Sequence, residues 1–238
     1  MLITETDIAL STDAVLARLD FSSLAFARRP APKLVSSILD EIRNDDLLRV
    51  RISYRVHNIV AQDRYSIETQ TGAVVQFIDR GEDSDRASGV LCASWTLGER
   101  ISDAIREAFS RGRLLHGFMM DEIASLWLFQ VAENIFVDVR KKAASDALAM
   151  SRVFAPGDQH IGIDQQDAVL TLAGGCEAGI SLSAAGVLAP VKSGTGLVEL
   201  GSGIEGCQHI FSCEDCRAKA HCRLRQQNGM DISPVGYA

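Results

Sequence analysis

The chain has 238 residues, 47% hydrophobic and 23% charged, the balance of a soluble globular protein long enough for one large domain or two small ones. Its 24 basic and 31 acidic residues leave a net charge of −7, which excludes a general nucleic-acid binder. The apolar stretch at 114–139 is broken by Asp121, Glu122 and Glu133, so no membrane span is expected; residues 1–7 also lack the basic and apolar regions of a signal peptide, and a cytoplasmic location follows.

Residues 1–46 read as a helical lead-in. Thr12 and Asp13 are suited to cap a short helix over 14–19, because such side chains accept from the unpaired N–H groups of a first turn. Pro30-Ala31-Pro32 interrupts the chain, and Leu34, Ile38 and Ile42 then share one face of a helix over 34–44. From residue 48 to residue 56 apolar side chains fall at every second position, predicting a strand with one buried face and a second face carrying Arg49, Arg51 and Arg55. Strands over 65–68 and 73–78, joined by Thr69-Gln70-Thr71-Gly72, follow as a hairpin. Residues 81–88 are a polar loop and 89–97 another strand, so this part is antiparallel and not a strand–helix alternation.

An amphipathic helix is predicted over 99–110, ended by Gly112. A long helix over about 114–150 follows, its first half dense in large apolar residues that fit a core. Beyond Arg152 glycine becomes frequent up to Gly206, with a helix over 164–173 and extended pieces at 187–190 and 195–200. Asp121 and Glu122 near His116 suit a solvated or capping role, and His160 with Asp158 and Asp164 suits a plain loop. No nucleotide-binding glycine fingerprint is present, and no catalytic side chain is assigned.

Ser151-Arg152-Val153-Phe154-Ala155-Pro156-Gly157-Asp158 follows the long helix directly. Pro156 fixes one φ and Gly157 permits a positive one, so a tight turn with open main-chain groups is expected, and Arg152 is suited to pair with a carboxylate. In this setting the region 48–200 resembles the activation (reactivation) domain of cobalamin-dependent methionine synthase in a free-standing form. The matching features are Arg152 with Ala155-Pro156-Gly157 after a long helix, then the helix at 164–173. Gly179-Ile180-Ser181-Leu182-Ser183, Pro190 and Lys192-Ser193-Gly194-Thr195-Gly196 follow in order, and Trp95-Thr96-Leu97-Gly98 matches upstream. The chain departs from the pattern at three places: four residues separate Arg152 from Gly157 instead of three, Asp158 stands where the family has tyrosine, and Ala184-Ala185 replaces Glu-Ser.

The resemblance implies an α+β fold, a twisted antiparallel sheet with long helices, occupying residues 47–206. It implies S-adenosylmethionine bound by Arg152, Ala155, Pro156, Gly157 and Asp158. The implied role is that of an accessory subunit for reductive reactivation of a corrinoid methyltransferase, a split cobalamin-dependent methionine synthase in methionine biosynthesis. Cobalamin would then be met through a partner, the corrinoid-binding methyltransferase subunit, with a reductase as a further partner.

Residues 207–238 form a cysteine-rich tail. Of six cysteines, Cys92 falls in a strand and Cys176 in a flexible Gly-rich context, while Cys207, Cys213, Cys216 and Cys222 give Cys-x5-Cys-x2-Cys-x5-Cys. Four thiolates at this spacing suit a tetrahedral site, zinc or an iron–sulfur cluster, with Arg217, Lys219, Arg223 and Arg225 offsetting their charge and His209 and His221 as substitute ligands. An alternative function follows from the departures and the tail together: a metal-containing binding or electron-transfer protein of a corrinoid methyltransferase system that has lost S-adenosylmethionine binding.

Overall fold

The alternating residues after Leu48 build a twelve-residue strand, β2 (Arg51–Gln62), on which the rest of the sheet assembles. The computed structural model describes residues 2–4, 10–18, 31–81, 86–204 and 206. In chain order its remaining elements are β1 (Leu2–Thr4), α1 (Thr12–Arg18), α2 (Ala31–Asn44), then β3 (Ser66–Thr69), β4 (Val74–Gln76) and β5 (Gly89–Thr96). These are followed by α3 (Glu99–Ser110), α4 (Leu114–Ser145), β6 (Ala149–Met150), α5 (Gln166–Ala173), β7 (Ser181–Leu182), β8 (Leu188–Ala189) and β9 (Ser193–Gly201). The main sheet runs β4-β3-β2-β5-β9-β6 with β1 alongside β2, and β7 and β8 form a separate hairpin. Each pairing is antiparallel. The fold is therefore α+β: a curled antiparallel sheet with a long helix across it.

Both faces of the sheet centre are covered. On one, Leu91, Ala93 and Trp95 of β5 and Val198 and Leu200 of β9 join Met120, Ile123, Trp127, Val131 and Phe136 of α4. Trp95 and Phe136 meet edge to face at 6.0 Å between centroids, the favourable arrangement for two ring quadrupoles. On the other, Val90, Cys92 and Leu197 pack with Phe154, Ile161 and the α5 residues Val169, Leu172 and Ala173. Two-sided burial explains why β5 reads as a continuous apolar run, whereas β2, half covered, alternates. Leu10, Val15, Val35, Ile38, Leu39 and Ile42 of the N-terminal segment lie in the α4-side core, so residues 10–18 and 31–44 share that core with the sheet.

The second face of β2, which carries the arginines, is covered in part by the end of α5. Ser53 Oγ donates to the Ala173 carbonyl at 2.7 Å and His57 Nε2 to the Leu172 carbonyl at 2.9 Å, satisfying acceptors that the end of α5 leaves open. Arg55 pairs with Glu177, and its guanidinium lies against Gly174. Arg51 lies likewise against Gly179, which adopts φ 69°; an added Cβ there would come within 2.7 Å of the Arg51 guanidinium. Arg49, just before the strand, pairs with Asp46 at 2.5 Å.

Several boundaries differ from expectation, each for a tertiary reason. The cap of α1 is Ser11, whose Oγ accepts from the Ala14 N–H at 3.1 Å. Pro32 sits in the first turn of α2, where a missing N–H costs nothing, so the helix starts earlier than the prolines suggested. Strand β2 starts at Arg51 because β5 pairs with 51–58, and runs on to Gln62 because β3 pairs beyond a bulge at 59–61. Helix α4 stops at Ser145 because Ala147 takes φ 57° and β9 captures Ala149 and Met150. The helix α3 occupies the predicted range.

Candidate functional site

The segment after β6 continues along the outer edge of β9. Ser151 N–H donates to the Glu199 carbonyl at 3.0 Å, and Phe154 and Leu197 exchange both main-chain bonds at 2.9 Å. Phe154 is buried, edge-on to Phe77 at 5.3 Å and to His160 at 6.0 Å. Arg152 is half-buried with its guanidinium carbon 5.8 Å from the Phe154 ring centroid. The cation thus lies over an aromatic face on the strand edge.

The turn that follows is closed by its own residues. Gly157 has φ 97°, and its N–H donates to the Ile161 carbonyl at 3.0 Å. Ile163 Cδ1 stands 3.3 Å from where a Cβ of Gly157 would lie, so space as well as φ favours glycine. Asp158 N–H donates to the Ala155 carbonyl at 2.9 Å. Its carboxylate accepts from three amides: Ala155 N–H at 3.0 Å on one oxygen, His160 N–H at 2.6 Å and Ile161 N–H at 2.9 Å on the other. Every main-chain N–H from Phe154 to Asp158 is therefore donated within the fold, and Pro156 has none. Arg152, Ala155, Pro156, Gly157 and Asp158 come together as one partly exposed loop. His160 belongs to it as a structural residue, its Nδ1 3.0 Å from the Asp79 carbonyl.

The other matched segments meet nearby. Leu97 N–H and Thr96 Oγ1 both donate to the Lys192 carbonyl, at 2.9 and 3.2 Å. Trp95 lies over Gly194, and Val153 and Phe136 crowd the space above Gly196, so the glycines of β9 admit these side chains. Lys192 is buried and reaches α4, 2.8 Å from the Asp121 carboxylate and 2.8 Å from Ser125 Oγ. Asp121 keeps a solvated carboxylate, 45% exposed, and is also an ion-pair partner; nothing local in the sequence signals a partner 71 residues away.

A pair with both members buried also escaped the sequence. Arg80 Nε lies 2.6 Å from Glu199 Oε1 with both side chains almost wholly buried, and the same guanidinium donates to the Ser66 carbonyl at 3.1 Å and to Gln62 Oε1 at 3.0 Å. Burial pushes the Glu199 carboxyl up while Arg80 pulls it down. The polar stretch at 81–88 gave no hint of it.

Cys207, Cys213, Cys216 and Cys222, with His209 and His221, lie outside the described residues. Among the described residues no group of three or more His, Cys, Asp or Glu is placed to hold a metal ion, and no helix is long and apolar enough to cross a membrane. Cys92 is buried and its thiol is pushed up to about 12 by that burial, whereas Cys176 is exposed.

The class of protein so defined is an α+β domain built on a curled antiparallel sheet with a long helix, its candidate site on the sheet edge that follows this helix. No family model matches the chain, and no curated protein sequence matches it. Among solved structures, the chain is similar to the crystal structure of the MetH reactivation domain bound to AdoHcy, with a TM-score of 0.62 and 11% identity, over 90% of this chain and 82% of that one. At that identity the likeness establishes the fold.

Proposed function

We propose that this chain is an accessory subunit for reductive reactivation of a corrinoid methyltransferase, a split cobalamin-dependent methionine synthase acting in the cytoplasm. The observation that carries this reading is the placement of the Arg152–Asp158 loop on the edge of β9 directly after α4 and β6, in a fold similar to a reactivation domain bound to AdoHcy. The residues fit the amino-acid end of an S-adenosyl ligand: the Arg152 guanidinium complements its carboxylate, and the turn Ala155-Pro156-Gly157-Asp158 forms the wall beside it. When bound, S-adenosylmethionine supplies a methyl group and leaves as S-adenosylhomocysteine. The corrinoid belongs to the partner methyltransferase subunit, and a reductase supplies the one electron that cob(II)alamin needs before methylation. The protein's contribution is positional, holding the donor in line with the partner's cobalt.

The tail cysteines Cys207, Cys213, Cys216 and Cys222 are proposed to bind zinc or an iron–sulfur cluster, the latter suited to relay that electron. Anaerobic purification with metal analysis and a visible spectrum tests this: colourless protein with stoichiometric zinc contradicts the cluster, and metal-free protein contradicts both. The self-closed hydrogen bonding of the loop favours a second reading, in which the chain serves the corrinoid system through its metal and takes no S-adenosyl ligand. The test of the first reading is reconstitution. A corrinoid subunit in the cob(II)alamin state, mixed with reductant and S-adenosylmethionine, should regain the methylcobalamin spectrum only when this chain is added; an unchanged spectrum contradicts it.

A further inference from the structure

The carboxylate of Asp158 takes the amide protons of Ala155, His160 and Ile161, while Phe154, Gly157 and Asp158 donate to Leu197, Ile161 and Ala155. Pro156 contributes no N–H. A purine laid against Phe154–Asp158 therefore meets no main-chain donor left open, so the acceptor nitrogens of its ring go unmatched there. An unmatched polar atom at a desolvated contact costs affinity. The group on this segment that matches an anionic ligand atom is the Arg152 side chain, with its planar array of N–H donors.

We propose that Asp158 is a positioning residue that sets ligand selection: by filling the loop's amides itself, it makes the loop read an S-adenosyl ligand through its amino-acid carboxylate and not through its purine. This rests on the S-adenosyl reading above and extends it. Removing the carboxylate frees three convergent amides, which then become available to ring nitrogens or to the ribose oxygens.

The experiment is calorimetric titration of the full chain with S-adenosylhomocysteine and, separately, with methylthioadenosine, which keeps the purine, ribose and thioether but lacks the amino-acid carboxylate. The wild-type chain should prefer S-adenosylhomocysteine by about tenfold or more, the worth of one charge-assisted hydrogen bond. In Asp158→Ala the preference should shrink through a gain in methylthioadenosine affinity. Asp158→Asn keeps one oxygen for His160 and Ile161 and releases Ala155 alone, so its preference should lie between; it carries the test where circular dichroism shows the alanine variant unfolded. A general loosening of the loop would lower both affinities together and leave their ratio unchanged. Equal wild-type affinities, or an unchanged ratio in a folded variant, overturn the role of Asp158 alone. No heat from either ligand with the wild-type chain overturns the S-adenosyl reading along with it.

Discussion

At the scale of single residues, the costliest group to disturb is the buried pair of Arg80 and Glu199. Each shields the other from the penalty of an isolated buried charge, and the guanidinium also ties down main-chain carbonyls of the β2–β3 connection. Arg80→Ala should lower unfolding stability by about 3–5 kcal/mol, read as a fall in the urea midpoint with unchanged slope. Asp79 acts at the surface. The Arg64 hydrogen bonds, followed by the Gly81 N–H, hold its carboxyl at about 2, below its ordinary value. A depressed carboxyl contributes stability that is complete above about pH 4 and disappears as pH falls through the folded value. The melting-temperature gap between wild type and Asp79→Asn should therefore close on acidification from neutral pH to about pH 2. The thiols divide by burial: a thiol reagent at pH 8 should modify Cys176 in the native chain and reach Cys92 only on unfolding, since the thiolate is the reactive form. Pro156-Gly157 announced its turn in the sequence, and an aspartate beside such a turn commonly bonds nearby amides. The long-range pairs Lys192–Asp121 and Arg80–Glu199 left no such local trace, because charge pairing across 71 and 119 residues has no period to read.

Among the elements, the helix α3 was legible to the residue because its amphipathic pattern and the following glycine are local properties. The ends of β2 and α4 were not. Strand ends are fixed by which neighbour supplies hydrogen bonds, and α4 yields its last expected turn to pairing on β9. The arginines were legible as one face of β2, but the sequence held no sign that α5 would end over Ser53 and His57 and need their donors. The α4–sheet contact is the central packing surface, and Phe136 is its fully buried aromatic, set against Trp95 and above Gly196. Phe136→Ala should cost about 3–5 kcal/mol in chemical denaturation. The same change removes one of the two side chains packed over Gly196, the other being Val153, so the Arg152 loop should also gain proteolytic sensitivity.

For the molecule as a whole, the antiparallel order followed from the strand alternation and the α+β class from the family resemblance, and the fold likeness over 90% of the chain agrees with both at 11% identity. That combination is physically sensible: a curled sheet with both faces covered constrains which positions are apolar far more than which apolar residue fills them. The candidate loop was legible as a place, since Arg152 and Pro156-Gly157 lie where a long helix hands over to glycine-rich chain. Its internal wiring was not, because three amides converging on Asp158 is a property of folded geometry. The central claim is that this loop holds an S-adenosyl ligand by its carboxylate. The most direct measurement is calorimetric titration of S-adenosylhomocysteine into the full chain and into Arg152→Ala, with circular dichroism confirming that both are folded. The account predicts saturable heat from the wild type and an affinity lower by about tenfold or more in the variant; a wild-type chain giving no heat, or a variant binding equally well, would contradict it.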